Sequence, residues 1–538
     1  MKKIVIIAAM LVYSATAFSL SDTTVMSFQT EYGTLDTSSD AYAACIQQTS
    51  DGGYIAAGYS SNFGAGNDDA YLLKTDATGS IQWTRTFGTF LADDAFAVVE
   101  TTDNGYAVAG TTSGYGGEHI FLLRTDPSGN LLWTKVYGTL DTTSDAAAYS
   151  LQQTADGGFI LAGYISNFGS GGDDFYLLKT DGEGLLSWTR TYGWLGNDDA
   201  NSVIQTADGG YVLAGTTASF GDTLGDFWVV KTNSYGDTLW TRIYGSNLAD
   251  AADMANSISQ TRDMGYLIAG VTSSASMGEF GRLIKTDQNG NIQWAHLYGT
   301  GNSSSDASFS SALQTSDGGY VATGYISNFG AGGDDYYIVK TDSSGGLMWA
   351  NTFGSSADDD ANYIRQTSDN GYVLAGSTFG FTNGGEHVYL VKTNLAGMTD
   401  CNSLPANTVM NTSITTFTKR FPSFVSFGGL EHMIPFMTSA GGDEIQICLP
   451  AGLGNINPAS TGLTVYPNPA TTEVTFALDR ASGTAIVSLY DLNGKQVQQV
   501  SFSGQQVVLG RNGLPEGIYF YMVRNGSEIL GKGKLNFE

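Results

Sequence analysis

Along this chain, bursts of six to nine alternating apolar and polar residues are broken by turn residues. Such period-two patterning predicts short, half-buried strands. In the first unit, Ala41–Thr49 reads as a strand ending at the turn Ser50-Asp51-Gly52-Gly53, and Tyr54–Ser60 returns as a second. A glycine-rich loop, Asn62–Asp69, leads to a third strand, Ala70–Thr75; the turn Asp76–Gly79 leads to a fourth, Ser80–Phe87. The Asp-Gly and Gly-Gly steps permit the positive φ of tight hairpins. Tyr, Ile, Val, Leu and Thr suit a pleated surface buried on one side.

The unit recurs. A turn of the form D-(G/N/M)-G-(Y/F) begins at Asp51, Asp103, Asp156, Asp208, Asp263, Asp317 and Asp369, at spacings of 52, 53, 52, 55, 54 and 52 residues. Seven four-stranded repeats at this period predict an all-β fold, a seven-bladed β-propeller.

A second pattern, D/N-x-x-G-x-x-x-W, marks the fourth strand with Trp83, Trp133, Trp188, Trp240, Trp294 and Trp349, each followed five residues later by glycine. A tryptophan once per blade reads as packing between neighbouring blades. The seventh repeat has Cys401 at the tryptophan position and no such strand after it, whereas an orphan segment, Met26–Gly33, stands before the first turn with Phe28 five residues ahead of Gly33. The N-terminal segment is therefore expected to supply the outer strand of blade seven and close the ring. Closure removes exposed sheet edges.

Composition fits many strands and tight turns: 70 glycines, 9 prolines, 42% apolar and 14% charged residues. The formal charge of −28 argues against nucleic acid as a partner. Lys2 and Lys3, the apolar run Ile4–Val12 and the small residues Ala15-Thr16-Ala17 read as a signal peptide over residues 1–17. No later apolar run reaches the roughly 20 residues that span a bilayer. Cys401 and Cys448 are a candidate disulfide in an oxidising setting, and Cys45 reads as a buried thiol.

Strand order puts the loops between second and third strands on the same face as the connections between blades. These loops carry Asp68 and Asp69, Asp173 and Asp174, and Asp334 and Asp335 after glycine-rich runs; Glu118-His119 and Glu386-His387 replace the pair in blades two and seven. The connections add Asp93, Asp94, Asp198, Asp199, Asp359 and Asp360, among others. One face should thus carry a ring of carboxylates, and the three Asp pairs are the candidate ligand or cation site. Calcium is the cation such hard oxygens would take, although no loop has EF-hand spacing. The competing reading is that these aspartates cap turns. Each third strand ends in a base (Lys74, Arg124, Lys179, Lys231, Lys285, Lys340, Lys392), and the strict repetition implies a structural pair with a blade aspartate. No catalytic signature is present.

The D-x-x-G-x-x-x-W pattern resembles the tryptophan-docking repeat of quinoprotein-type propellers and, with one extra residue, the Asp-box of sialidase-like propellers; neither family's active site maps onto this chain. Over residues 24–400 the repeats are similar to propeller repeats of bacterial surface proteins.

The chain's end is more specific. Val465-Tyr466-Pro467-Asn468-Pro469-Ala470, Leu489-Tyr490-Asp491-Leu492-Asn493-Gly494-Lys495 and Leu514-Pro515-Glu516-Gly517-Ile518-Tyr519 resemble the type A C-terminal sorting domain of the type IX secretion system of Bacteroidetes. The resemblance implies an Ig-like β-sandwich over 463–538, recognition by the outer-membrane translocon, and a secreted or surface-attached product. Its sorting motif would be Tyr466, Pro467, Asn468, Pro469, Asn493, Gly494 and Gly517. Residues 401–460, which show no repeat, read as a linker or a small β extension.

Besides a purely structural spacer in a surface layer, which would take no ligand, two functions remain open from sequence. One is a non-catalytic binding module that takes a glycan, protein or cation on the acidic loop face. The other is a carbohydrate-active hydrolase or lyase using two of the carboxylates.

Overall fold

The computed structural model describes residues 27–537 except 34–39, 62–63, 65, 114–116, 140–143, 170, 222–223, 247–249, 276, 301–305, 382–384, 400–402, 406–407, 412–415, 420–423, 427–429, 433–436, 440–442, 449–462, 468–469, 491–495 and 526–527. The expected signal peptide and the Cys401 side of the candidate disulfide lie outside the described residues. The chain divides into two compact units, Met1–Ala451 and Gly452–Glu538.

The first unit is the seven-bladed propeller. Each repeat folds into an antiparallel meander of four strands; in blade one these are Ala41–Gln48, Tyr54–Ser61, Asp68–Thr75 and Ile81–Gly88. Every four-residue turn between first and second strands holds its third residue at positive φ: Gly52, Asn104, Gly157, Gly209, Met264, Gly318 and Asn370. The turn aspartate accepts from the amide two residues on, as Asp51 does from Gly53 at 3.0 Å. All seven expected base pairs form, from Lys74 Nζ on Asp51 at 2.9 Å to Lys392 Nζ on Asp369 at 2.9 Å.

The ring closes through the N-terminal strand. Phe28–Gly33 pairs antiparallel with His387–Thr393, and Phe28 faces Lys392 as Trp83 faces Lys74. Each tryptophan packs on the turn aromatic of the next blade, Trp83 on Tyr106 with centroids 5.7 Å apart; Phe28 does the same to Tyr54 at 5.9 Å. Glycine is required where the ring lands, because a Cβ on Gly129 would lie 2.8 Å from Trp83 and one on Gly79 2.9 Å from Phe28. Glu31 adds a buried contact to His387 at 2.9 Å.

A second seam runs round the inner rim. The side-chain oxygen of Glu100, Gln153, Gln205, Gln260, Gln314 and Gln366 accepts the amide of the turn residue before Asp in the preceding blade, and Gln48 accepts from Ser368 at 2.8 Å across the closure. Seven equivalent hydrogen bonds fix blade angle without any special pair.

The segment after the seventh repeat runs back around the ring. Ser403–Pro405, Val409–Asn411, Thr416–Lys419, Phe424–Ser426, Leu430–His432, Met437–Ser439 and Asp443–Cys448 pair in turn with the outer strands of blades six, five, four, three, two, one and seven. This strap gives every sheet a fifth strand and covers the edge that would otherwise offer unpaired backbone groups.

In the second unit, Leu463–Tyr466, Glu473–Tyr490, Gln496–Gly510, Gly517–Asn525 and Glu528–Phe537 form a small β-sandwich. The two halves of the long strand Glu473–Tyr490 contribute Val474 and Phe476, and Val487 and Leu489, to one core.

Candidate functional site

The candidate aspartates lie at the start of the third strand, not in the loop as the sequence reading had them, because strand pairing begins at Asp68, Asp173 and Asp334. Alternation then splits each pair. Asp68, Asp173 and Asp334 are half-buried, whereas Asp69, Asp174 and Asp335 turn inward and are 1% exposed.

The inward members meet partners that sequence had counted as connectors. The point a Cβ on Gly88 would occupy lies 1.8 Å from Asp69 Oδ1 and 3.1 Å from Asp93 Oδ2. Asp174 with Asp198, and Asp335 with Asp359, crowd Gly193 and Gly354 in the same way. The pattern covers the ring. Where the third strand has Asp69, Asp174, Asp226 or Asp335, the next blade's innermost strand has Asp93, Asp198, Asp253 or Asp359; where it has His119, Phe280 or His387, the next blade has Ala146, Ala307 or Ala41.

In one of the four acid pairs the chain supplies its own cation. Arg282 Nη1 lies 2.7 Å from Asp253 Oδ1, with side chains 1% and 0% exposed, and the Asp226 charge also acts on the guanidinium. The equivalent residue is aromatic in the other blades: Tyr71, Phe121, Tyr176, Trp228, Tyr337 and Tyr389. The other three pairs are held by hydroxyls and amides, as when Asp359 accepts from Ser355 N at 2.6 Å and Oγ at 2.9 Å. Burial, and then the Asp359 charge, push the Asp335 carboxyl up to about 6, against the pull of backbone amides. Above these pairs lies an outer tier. Burial pushes Asp94, Asp199 and Asp360 up to about 6 as well, reinforced by Asp68, Asp173 and Asp334 respectively. Each Asp pair named from sequence is thus half of a four-carboxylate cluster between blades one and two, three and four, or six and seven, with its inner two members buried and its outer two half-buried. Among the described residues, no three His, Cys, Asp or Glu converge as a metal ion would need.

His119 and His387 serve separate blades. His119 bonds the carbonyls of Gly117 and Thr139, and His387 meets Glu31.

The seven innermost strands enclose a central channel of about 580 Å³. Each contains a β-bulge at an equivalent position. The extra residue lines the channel: Ala44, Phe96 and Tyr149, then Asn201, Asn256, Ser310 and Asn362. Bulges re-aim side chains in this way beside binding sites. Sequence reading missed them because one added residue per strand leaves the repeat period unchanged.

In the tail, Tyr466 and Pro467 are exposed and Gly517, at φ 143°, opens a strand; Asn468, Pro469, Asn493 and Gly494 lie outside the described residues. Residues 464–534 match the family described as secretion system C-terminal sorting domain. The chain carries a secretion-system sorting domain. The sorting domain marks the protein for type IX export to the cell surface or beyond. No helix among the described residues is long and apolar enough to cross a membrane.

No curated protein matches the chain. Among solved structures it is similar to PorZ, an essential surface component of the type-IX secretion system of Porphyromonas gingivalis, at 13% identity and TM-score 0.38, over 91% of this chain and 58% of that one. It is also similar to the extracellular domain of the putative one component system BT4673 from B. thetaiotaomicron, at 12% identity and TM-score 0.37, over 94% and 57%. The chain therefore spans under two thirds of either structure.

Proposed function

We propose that the propeller is a non-catalytic interaction module displayed outside the cell, and that its acidic face receives a cationic partner. The observation that carries this reading is the threefold occurrence of the four-carboxylate cluster on one face, each presenting two half-buried carboxylates. A catalytic acid and base would be expected once, at a place that breaks the ring's symmetry. Apolar side chains stand beside the carboxylates: Phe90 is 76% exposed, Leu195 72% and Phe379 46%. Acid next to exposed apolar residues complements a basic partner that also carries aromatic or aliphatic side chains.

The test is binding of a Lys-rich, Phe-containing peptide to the mature propeller by surface plasmon resonance across a salt series. Binding should weaken steeply with salt. It should fall at least tenfold when Asp68, Asp173 and Asp334 are all changed to Asn. Salt-independent binding, or an unchanged triple variant, would refute the reading. Cleavage of any member of a polysaccharide panel, abolished by the same triple change, would establish the hydrolase or lyase instead.

A further inference from the structure

Three residues break the ring's symmetry inside the channel, and all three meet at the seam where blade seven touches blade one. The position four residues before the turn aspartate holds an amide, a hydroxyl or an aliphatic in six blades (Gln47, Val99, Gln152, Ile204, Ser259, Leu313) and Arg365 in the seventh. Two residues earlier, the other blades have a small residue and the seventh has Tyr363, while the first blade has the thiol Cys45.

The guanidinium carbon of Arg365 stacks 4.3 Å from the centroid of Tyr363. Its Nη2 donates to Tyr363 Oη, and its Nη1 donates to the carbonyl of Ile364 at 3.3 Å. Cys45, on the facing strand, interacts with the same phenol and with Val98 O. Burial pushes the Tyr363 phenol up to about 12, so it remains a neutral hydroxyl. A guanidinium has five N–H donors. Two bonds to neutral oxygens leave it under-used, and no carboxylate among the described residues is paired with it. In a chain of charge −28 this is an unusual position for a lining arginine.

We propose that the channel binds a small carboxylate-bearing ligand, with the carboxylate on Arg365 and the body of the molecule against the bulge residues. The cavity volume lies within the range of small-molecule sites. Asn201, Asn256 and Asn362 each donate Nδ2 to a carbonyl of the next blade, Ala255, Phe309 and Ala43, which leaves their amide oxygens to accept from hydroxyl groups. Phe96 and Tyr149, edge to face at 5.2 Å, give an aromatic wall for a sugar ring. These features together fit a hexuronic acid better than a plain fatty or amino acid. Arg365 lies toward the turn face, where the seven turn aspartates are already neutralised by bases. An anion entering there avoids the acidic face and meets one lining carboxylate, Glu100, which Ser50 N and Oγ already engage at 2.8 Å. The inference is independent of the cationic partner proposed above.

The experiment is calorimetric titration of the mature propeller with sodium glucuronate, with glucose as the neutral counterpart. Glucuronate should bind at least tenfold more tightly than glucose. Arg365→Gln should lose at least tenfold in glucuronate affinity without changing the melting temperature, since blades one and three fold with Gln at this position. Arg365→Lys, which keeps the charge, should retain more affinity than Arg365→Gln. The proposal is overturned if glucuronate gives no binding, if glucose binds equally, if Arg365→Gln leaves glucuronate affinity unchanged, or if Arg365→Lys loses as much affinity as Arg365→Gln.

Discussion

Replacing Arg282 with tyrosine gives blade five the aromatic residue found at this position in the rest of the ring, and it removes the cation that, among the described residues, pairs with Asp253. Asp226 and Asp253 are both 0% exposed, so the variant buries two carboxyls with no base between them. Breaking a buried pair by removing one partner costs about 3–5 kcal/mol. Proton uptake limits that cost. Holding one carboxyl of ordinary acidity in its neutral form costs about 1.4 kcal/mol per pH unit above about 3.9. That is about 4 kcal/mol at pH 7 and about 1.5 kcal/mol at pH 5. Unfolding entropy near 2 cal/mol/K per residue, over a propeller of roughly 400 residues, converts these costs to about 5 °C and about 2 °C in Tm. The assay is differential scanning calorimetry of wild type and Arg282→Tyr at both pH values, comparing the difference between the two proteins at each pH. A larger loss at pH 7 is the signature. An equal loss at the two pH values, or a variant more stable than wild type at pH 7, would refute the argument that the guanidinium substitutes for a proton in this pair.

The other predictions use the same geometry. In wild type, the raised carboxyls of Asp94, Asp199, Asp335 and Asp360 bind more protons folded than unfolded, so their stabilisation is present in acid and is lost as pH rises from about 4 through about 6. For Asp317, burial raises the carboxyl, but hydrogen bonds from Thr315, Lys340 and Gly319 outweigh it and hold the group at about 2; its contribution is lost as pH falls through that value. Melting temperature in buffer without divalent cations should therefore peak near pH 4 and decline toward pH 7; a rise over that interval would contradict the buried-acid account. Met264 occupies a φ of 66° that glycine holds in four sister turns, so Met264→Gly should stabilise by about 1 kcal/mol in urea unfolding, and destabilisation would show the turn is not strained. A chain ending at Thr399 exposes seven outer strand edges and should form concentration-dependent oligomers in light scattering; a clean monomer would show that the strap does not act as an edge cover.

Sequence alone determined whatever repeats or lies close along the chain. The turn, the strand patterning, the docking tryptophans and the base at each third-strand end recur at one period, so seven copies of weak local signals reinforce one another. Ring closure was legible for the same reason, because Phe28 and Gly33 keep the spacing of a fourth strand that blade seven lacks. The strap was not legible. Its strands are three to six residues long, carry no alternation, and are held by the backbone of strands already formed. Nor could spacing show that Asp69 faces Asp93 while Arg282 covers Asp253, since those pairings form only when one blade is laid on the next. Arg365 and Cys45 are 320 residues apart in sequence and become neighbours solely because the ring closes. Local periodicity sets the blade. Which side chains share a dry interface or a channel depends on how the blades pack against one another, and only the tertiary structure decides that.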